Sequence, residues 1–244
     1  MSRQLTEEIK KVALVLKKEY KDFAHHNKKN PLDELFFILC SVKRSEKVYS
    51  EAFKSLKRNF PRYELLATAS TNKISRAVSW GGLQNQKAAA AKEIIKCLIE
   101  HFGGPTLSPL KKMSDEDCER FLTSLPGVGK KVSRCVMLYS FDRQVFPVDA
   151  HCWRMAKRLN WAAINDNLTT KNMDRLQAQI PPELRFSLHV NMVSHGRKIC
   201  VARSPKCCEC VIVSFCRKGK AVETAPSVGF DYHQRKRQKQ TSEA

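Results

Sequence analysis

No stretch of this chain alternates apolar and polar residues long enough to make a half-buried strand. That argues against a sheet-built core and leaves an all-α architecture, with any strand minor. Nor is there a run of about twenty apolar residues, so no segment reads as a membrane span and no membrane partner is expected. The opening residues, Met1-Ser-Arg-Gln-Leu-Thr-Glu-Glu8, hold no apolar stretch of the kind found in a secretory leader. Acid is scarce too, with 24 Asp+Glu against 44 Lys+Arg, a formal charge of +20. A partner rich in phosphate is the natural counterpart, because each phosphate neutralised releases counterions. A generally basic protein, or one that meets an acidic protein, is the alternative.

What is present suits a folded chain. Of 244 residues 42% are hydrophobic, enough to bury one large core or two small ones. Residues 5 to 20 read as an amphipathic helix with Leu5, Ile9, Val12, Ala13, Leu16 and Tyr20 inward. Asn30-Pro31 suits a helix start, and Leu32 to Cys40 is apolar nearly all round, which marks a buried helix. Ser45 is a candidate N-cap for a helix that packs Val48, Tyr49, Ala52, Phe53 and Leu56 inward. Short helical pieces follow near Leu65 and Ile74. Gly81-Gly-Leu83 breaks the pattern before a long helix bearing Ala88, Ala91, Ile95, Leu98 and Phe102. Ser114 and Asp117 resemble a capping box with an acid in place of Glu or Gln. Residues 218–244 are poor in large aliphatic side chains and carry the basic run His233-Gln-Arg-Lys-Arg-Gln-Lys239. They are expected to be a disordered tail that adds DNA affinity, acts as an address, or is plain solvated charge.

Three constellations carry chemistry. The first is Leu125-Pro-Gly-Val-Gly-Lys-Lys131, a glycine turn between two helical patterns. One pattern puts Cys118, Phe121, Leu122 and Leu125 on a face, and the other puts Val132, Cys135, Val136 and Tyr139 on a face. The turn around Gly127, Val128 and Gly129 and the first turn of the following helix offer amides without intrahelical acceptors, an anion site beside Lys130 and Lys131. The second is Val148-Asp-Ala-His151. Asp149 precedes a helix bearing Cys152, Met155, Ala156 and Leu159, so it is either an N-cap or a catalytic carboxylate, and both roles can coexist. His151 either hydrogen-bonds within a site, meets a phosphate, or is structural. The third is Cys200, Cys207, Cys210 and Cys216, spaced x6, x2, x5. Four thiolates so placed can hold a tetrahedral zinc or a [4Fe–4S] cube. Cys208 is the odd one out, and Cys40, Cys97, Cys118, Cys135 and Cys152 mostly fall on apolar helix faces. Ten cysteines without a leader favour a reducing compartment and ligation over disulfides.

The order and spacing of all three, over about residues 30 to 217, resemble the endonuclease III branch of the helix-hairpin-helix (HhH-GPD) DNA glycosylases. The resemblance implies a bifunctional glycosylase and abasic-site lyase acting on an oxidised or modified pyrimidine in double-stranded DNA. It makes Lys131 the Schiff-base nucleophile, where Lys130 is a rival by position alone, and Asp149 the catalytic carboxylate. It implies a [4Fe–4S] cluster on Cys200, Cys207, Cys210 and Cys216, with Arg203 and Lys206 of the cluster loop meeting phosphates. It also implies that Leu83 wedges into the duplex, where it would otherwise be a helix-start core residue. Gly127, Val128, Gly129, Lys130 and His151 complete the expected DNA contacts.

The family's architecture implies a six-helix domain over 30–142 and a cluster domain from 1–29 with 143–217, working as a monomer. The expected location is the nucleoid in a prokaryote or the nucleus in a eukaryote. One departure bears on substrate: Val42 falls nearest the place where endonuclease III has a gap-filling glutamine. Phe146-Pro-Val-Asp149 and Arg158-Leu-Asn-Trp161 are also similar to segments of plant 5-methylcytosine glycosylases, which keeps 5-methylcytosine or 5-hydroxymethylcytosine open. A DNA-binding protein without chemistry is the remaining alternative.

Overall fold

The computed structural model describes residues 3–23, 26–41, 46–78, 84–217 and 219, and among these it is helical with no strand. The chain makes two compact units. Helix α1 (Arg3–Tyr20) opens the unit formed by Met1–Phe23 with Val148–Ala244. The other unit, Ala24–Pro147, holds α2 (Pro31–Ser41), α3 (Glu46–Asn59), α4 (Glu64–Thr68) and α5 (Thr71–Ala77). It continues with α6 (Gln84–Phe102), α7 (Asp115–Ser124) and α8 (Lys130–Ser140). The first unit then resumes with α9 (Ala150–Arg158), α10 (Thr170–Gln179) and α11 (Arg185–Lys198). The central unit thus has seven described α-helices where six are expected, because α4 closes little more than one turn of its own. Ser45, Val42, Leu83 and the basic tail lie outside the described residues.

Local chemistry sets the helix starts. The Asn30 side-chain oxygen accepts from the Leu32 and Asp33 amides, both at 3.0 Å, with Pro31 pre-set in the first turn of α2. Ser114 caps α7 by accepting from the Asp117 amide at 3.0 Å. The expected reciprocal half of that box takes another form: the Asp117 carboxylate accepts from the Ser114 hydroxyl at 2.8 Å. Asp149 caps α9 and Thr169 caps α10.

Helix α2 is the centre of its unit. Leu32, Leu35, Phe36, Phe37, Ile38 and Cys40 are all buried, as the all-round apolar pattern requires. It lies along both α8 and α3. Phe37 sets its ring edge-on to Tyr49 and Phe53, and Phe36 stacks on Tyr63 at 5.0 Å between centroids. Side chains of this size stabilise by about 1.5–3 kcal/mol each when fully buried. Arg143 fastens the turn before α7 by donating to the Leu110 and Met113 carbonyls at 2.9 and 2.7 Å and to the Asp115 carboxylate. In the other unit α1 buries Ile9, Val12, Ala13 and Leu16 and packs on α11, which packs in turn on α9.

Candidate active site and cysteine loop

The hairpin joins α7 to α8. Leu125 and Val128 are buried, and the Val128 amide donates back to the Leu125 carbonyl at 3.1 Å. The two glycines differ. Gly127 has φ +74°, the left-handed region that glycine alone enters cheaply. Gly129 has φ −92° and ψ 175°, ordinary extended backbone, and is the N-cap of α8. A Cβ placed on Gly129 meets no atom of the chain within 4 Å. Having no side chain, this N-cap leaves the first-turn amides of α8 without a side-chain acceptor.

The two lysines after it also part. Lys130 Nζ lies 3.3 Å from Glu119 Oε2, in an ion pair shared with Arg134, whose Nε donates to Glu119 Oε1 at 2.6 Å. That carboxylate draws Lys130 towards α7. Lys131 is half-buried in the first turn of α8, where the positive end of the helix disfavours a further cation. Its charge is felt by the buried carboxyl of Glu34 on α2.

Asp149 lies in the other unit. Its Oδ1 accepts from the Cys152 amide at 2.8 Å, so the carboxylate is held rigidly while its other oxygen points away from that bond. His151, half-buried, sits under α11 at Gly196, where an added Cβ would come within 2.7 Å of the His151 Cβ. Its Nδ1 is 3.0 Å from an Arg154 nitrogen. Burial holds the His151 imidazole below its ordinary pKa, with the Asp149 charge acting the other way.

The cysteine loop brings its four expected ligands together. Cys200, Cys207, Cys210 and Cys216 line one recess of about 290 Å³, with Lys206 and Arg158 on its wall. Arg158 Nη1 donates to the Cys200 sulfur at 3.0 Å and to the Val201 carbonyl at 3.0 Å. Arg154 donates to the Cys200 carbonyl at 2.8 Å and to that of Gly196 at 2.9 Å. His195 Nε2 is 3.4 Å from the Cys210 sulfur, and its Nδ1 meets the Tyr20 hydroxyl at 2.8 Å. Burial first, then the charges of Cys200, Cys216 and Cys207, push the Cys210 thiol up to about 11. Among the described residues no three His, Cys, Asp or Glu converge on a single ion. Cys208 is exposed and off the wall, as are Arg203 and Lys206 in solvent reach.

Three residues escape a reading by motif. Arg154 and Arg158 reach the cysteine loop over more than forty positions of sequence, so no local pattern marks them. Glu34 sits inside an apolar helix, and its only trace in the sequence is an acid where the pattern asks for an aliphatic residue.

A glycine-turned helix pair and a four-cysteine loop, on an all-helical two-unit frame, define the helix-hairpin-helix class. Comparison with known proteins makes this specific. Residues 39–182 match the model of the HhH-GPD superfamily base excision DNA repair proteins, and the chain belongs to that family. It is 35% identical over 169 residues to the Arabidopsis thaliana protein At3g47830, a DNA glycosylase by its name, covering 69% of this chain and 57% of that one. It is 27% identical to Endonuclease III of Thermotoga maritima, covering 80% of this chain and 89% of the relative. The fold matches that of Endonuclease III solved as a non-covalent DNA complex, with a TM-score of 0.77 at 24% identity, over 89% of this chain and 98% of that one.

Proposed function

We propose that the protein is a bifunctional DNA glycosylase and abasic-site lyase that removes an oxidised or otherwise modified pyrimidine from double-stranded DNA. The observation that carries the reading is the separation of the two hairpin lysines: Lys130 is committed to Glu119, while Lys131 stands at the positive end of α8. As the glycosidic bond lengthens, positive charge grows on the sugar, and the Asp149 carboxylate stabilises it. The neutral Lys131 amine attacks C1′ and displaces the base, giving a Schiff base that acidifies the C2′ protons. Loss of one of them expels the 3′ phosphate by β-elimination, and water returns Lys131. The hairpin amides, Lys130, His151, Arg203 and Lys206 are assigned to the phosphates and Leu83 to the gap in the stack.

The four cysteines suit a [4Fe–4S] cluster. Their thiols stand around one recess rather than on one ion position, and N–H groups of Arg158 and His195 stand ready to bond thiolate sulfur. The cluster supplies a rigid centre for the loop, and the chain's own arginines fasten that loop to α9 and α11.

The segment Arg158–Trp161 bears on the choice of base. Arg158 is engaged with the cysteine loop, and the Trp161 indole donates to Glu8 at 3.0 Å. Their likeness to the 5-methylcytosine enzymes therefore has a structural explanation, which favours the oxidised pyrimidine. Borohydride trapping on an abasic duplex tests the lyase: an adduct is expected, and it disappears in Lys131→Ala. Absence of an adduct with the wild type marks a DNA binder, and base release without an adduct marks a monofunctional glycosylase. Duplexes differing only in thymine glycol, 5-hydroxycytosine, 5-methylcytosine or 5-hydroxymethylcytosine then decide the substrate.

A further inference from the structure

Helix α2 carries a side chain that this reaction does not use. Glu34 is fully buried, 0% exposed, among Leu32, Leu35, Phe36, Phe37 and Ile38. A carboxyl in such company is costly unless something answers it. Asn27 Nδ2 donates to its Oε1 at 2.5 Å, and the Lys28 amide donates to its Oε2 at 2.6 Å. The Lys28 carbonyl accepts from Ser140 Oγ at 2.7 Å, so the carboxyl is tied to a loop that is itself tied to α8. Helix α2 lies along α8, and Lys131 is in the first turn of α8.

Of the cations around Glu34, two act on it, Lys131 and Lys28, and Lys131 acts more strongly. Other charges on the packed elements have partners of their own. Asp33 on α2 takes Lys57 of α3 and the Tyr63 hydroxyl, Arg134 and Lys130 of α8 take Glu119, and in the loop His26 faces Glu46 and Lys29 faces Asp142.

We propose that Glu34 is a positioning residue for Lys131, the buried counter-charge that orients the amine and sets how readily it gives up its proton. The inference rests on Lys131 being the nucleophile. Coupling between two charges is reciprocal: if Lys131 favours ionised Glu34, ionised Glu34 favours the Lys131 ammonium to the same degree. Burial outweighs the hydrogen bonds and both lysines, and holds the Glu34 carboxyl up at about 7. Glu34 thus changes charge near neutral pH. Ionised, it keeps Lys131 as an ammonium; protonated, it releases the amine from that hold.

The sign for stability follows. The folded pKa lies above the ordinary 4.5, so the folded protein binds the extra proton between 4.5 and about 7. The stability this contributes is complete below about 4.5 and is lost as pH rises through about 7.

Competitive acetylation of the full chain across pH, read at Lys131 and Lys130 by fragment-ion mass spectrometry, tests the pairing without DNA or turnover. In Glu34→Gln the Lys131 midpoint is expected to fall by about one pH unit, while Lys130 stays in place. An unmoved Lys131 overturns the proposal and leaves Glu34 a purely structural tie. The acid limb of borohydride trapping should move by the same amount. If the wild type traps nothing, the nucleophile reading fails, yet the acetylation midpoints still judge the pair. Should Glu34→Gln not fold, Lys131→Met serves. It removes the charge that lowers Glu34, so the window in which melting temperature falls with pH moves upward, and a fixed window refutes the coupling.

Discussion

Between α7 and α8 the chain turns on backbone bonds and apolar packing, with Leu125, Val128 and Val132 buried around it. Residues 200–216 turn several times as often and have almost none of this. Ile212 is the one buried hydrophobic side chain among them, and their regular structure is two three-residue 3-10 turns. What fastens that loop is reach from elsewhere: Arg154 and Arg158 on α9 satisfy the carbonyls of Cys200, Val201 and Ala202. The difference teaches where each region keeps its stability. The hairpin has it in the covalent chain and its core, so it is formed before any ligand arrives. The cysteine loop surrounds a recess walled by mutually repelling thiols, and needs a positive centre there to be more than a tether.

The largest expected effect breaks the comparison on the side of the loop. Cys210→Ser should abolish the brown absorption at roughly 400 nm expected of a thiolate-bound cluster and open the loop to trypsin at the exposed Arg203 and Lys206. Cys208→Ser, at an exposed position off the recess, should leave colour and digestion unchanged. A Cys210→Ser protein as resistant to trypsin as the wild type would show the loop to be self-supporting. Colourless wild-type protein with one zinc per chain would replace the cluster outright.

Asp149→Asn sharpens the contrast by changing charge without changing a cap. Asparagine caps a helix about as well as aspartate, so stability should move by no more than roughly 0.5 kcal/mol. Base excision should fall by about 10²-fold or more, because the carboxylate facing the developing sugar cation is gone. Duplex affinity, measured separately, should change little. Equal losses of excision, affinity and melting temperature would make Asp149 a structural residue first.

How far the sequence foretells these two regions follows the same line. Helix starts at Asn30, Ser114, Asp149 and Thr169 depend on side chains within three residues of the amides they cap, and Asn30, Ser114 and Asp149 are readable in the sequence. The cysteine spacing is readable as well, since all four ligands lie within one short segment. The supports of that segment are not, because Arg158 and Cys200 are 42 positions apart and meet only in the folded unit. Burial of Glu34 is hidden for another reason: pattern reading assigns acids to solvent, and only the packing of α2 on α8 and α3 shows that no solvent is there.

The smallest effect separates the two hairpin glycines. At Gly127, φ is +74°, so Gly127→Ala forces an L-residue into the left-handed region at a cost of about 1–2 kcal/mol. Its Cβ would have room, 3.6 Å from Ala90, so strain in the backbone and not a clash sets that cost. Gly129 has ordinary extended backbone and open space around its missing Cβ, so Gly129→Ala should shift stability by no more than about 0.5 kcal/mol. Yet that Cβ would stand at the mouth of the first-turn amides of α8, where a backbone phosphate is proposed to approach. Gly129→Ala is therefore expected to weaken duplex binding several-fold while melting at the wild-type temperature, and Gly127→Ala to lower the melting temperature more than its effect on binding to the remaining folded protein. Titrating a labelled abasic duplex beside thermal melts of both variants decides it. If Gly129→Ala binds as the wild type does, the amides at the start of α8 are not where the phosphate sits.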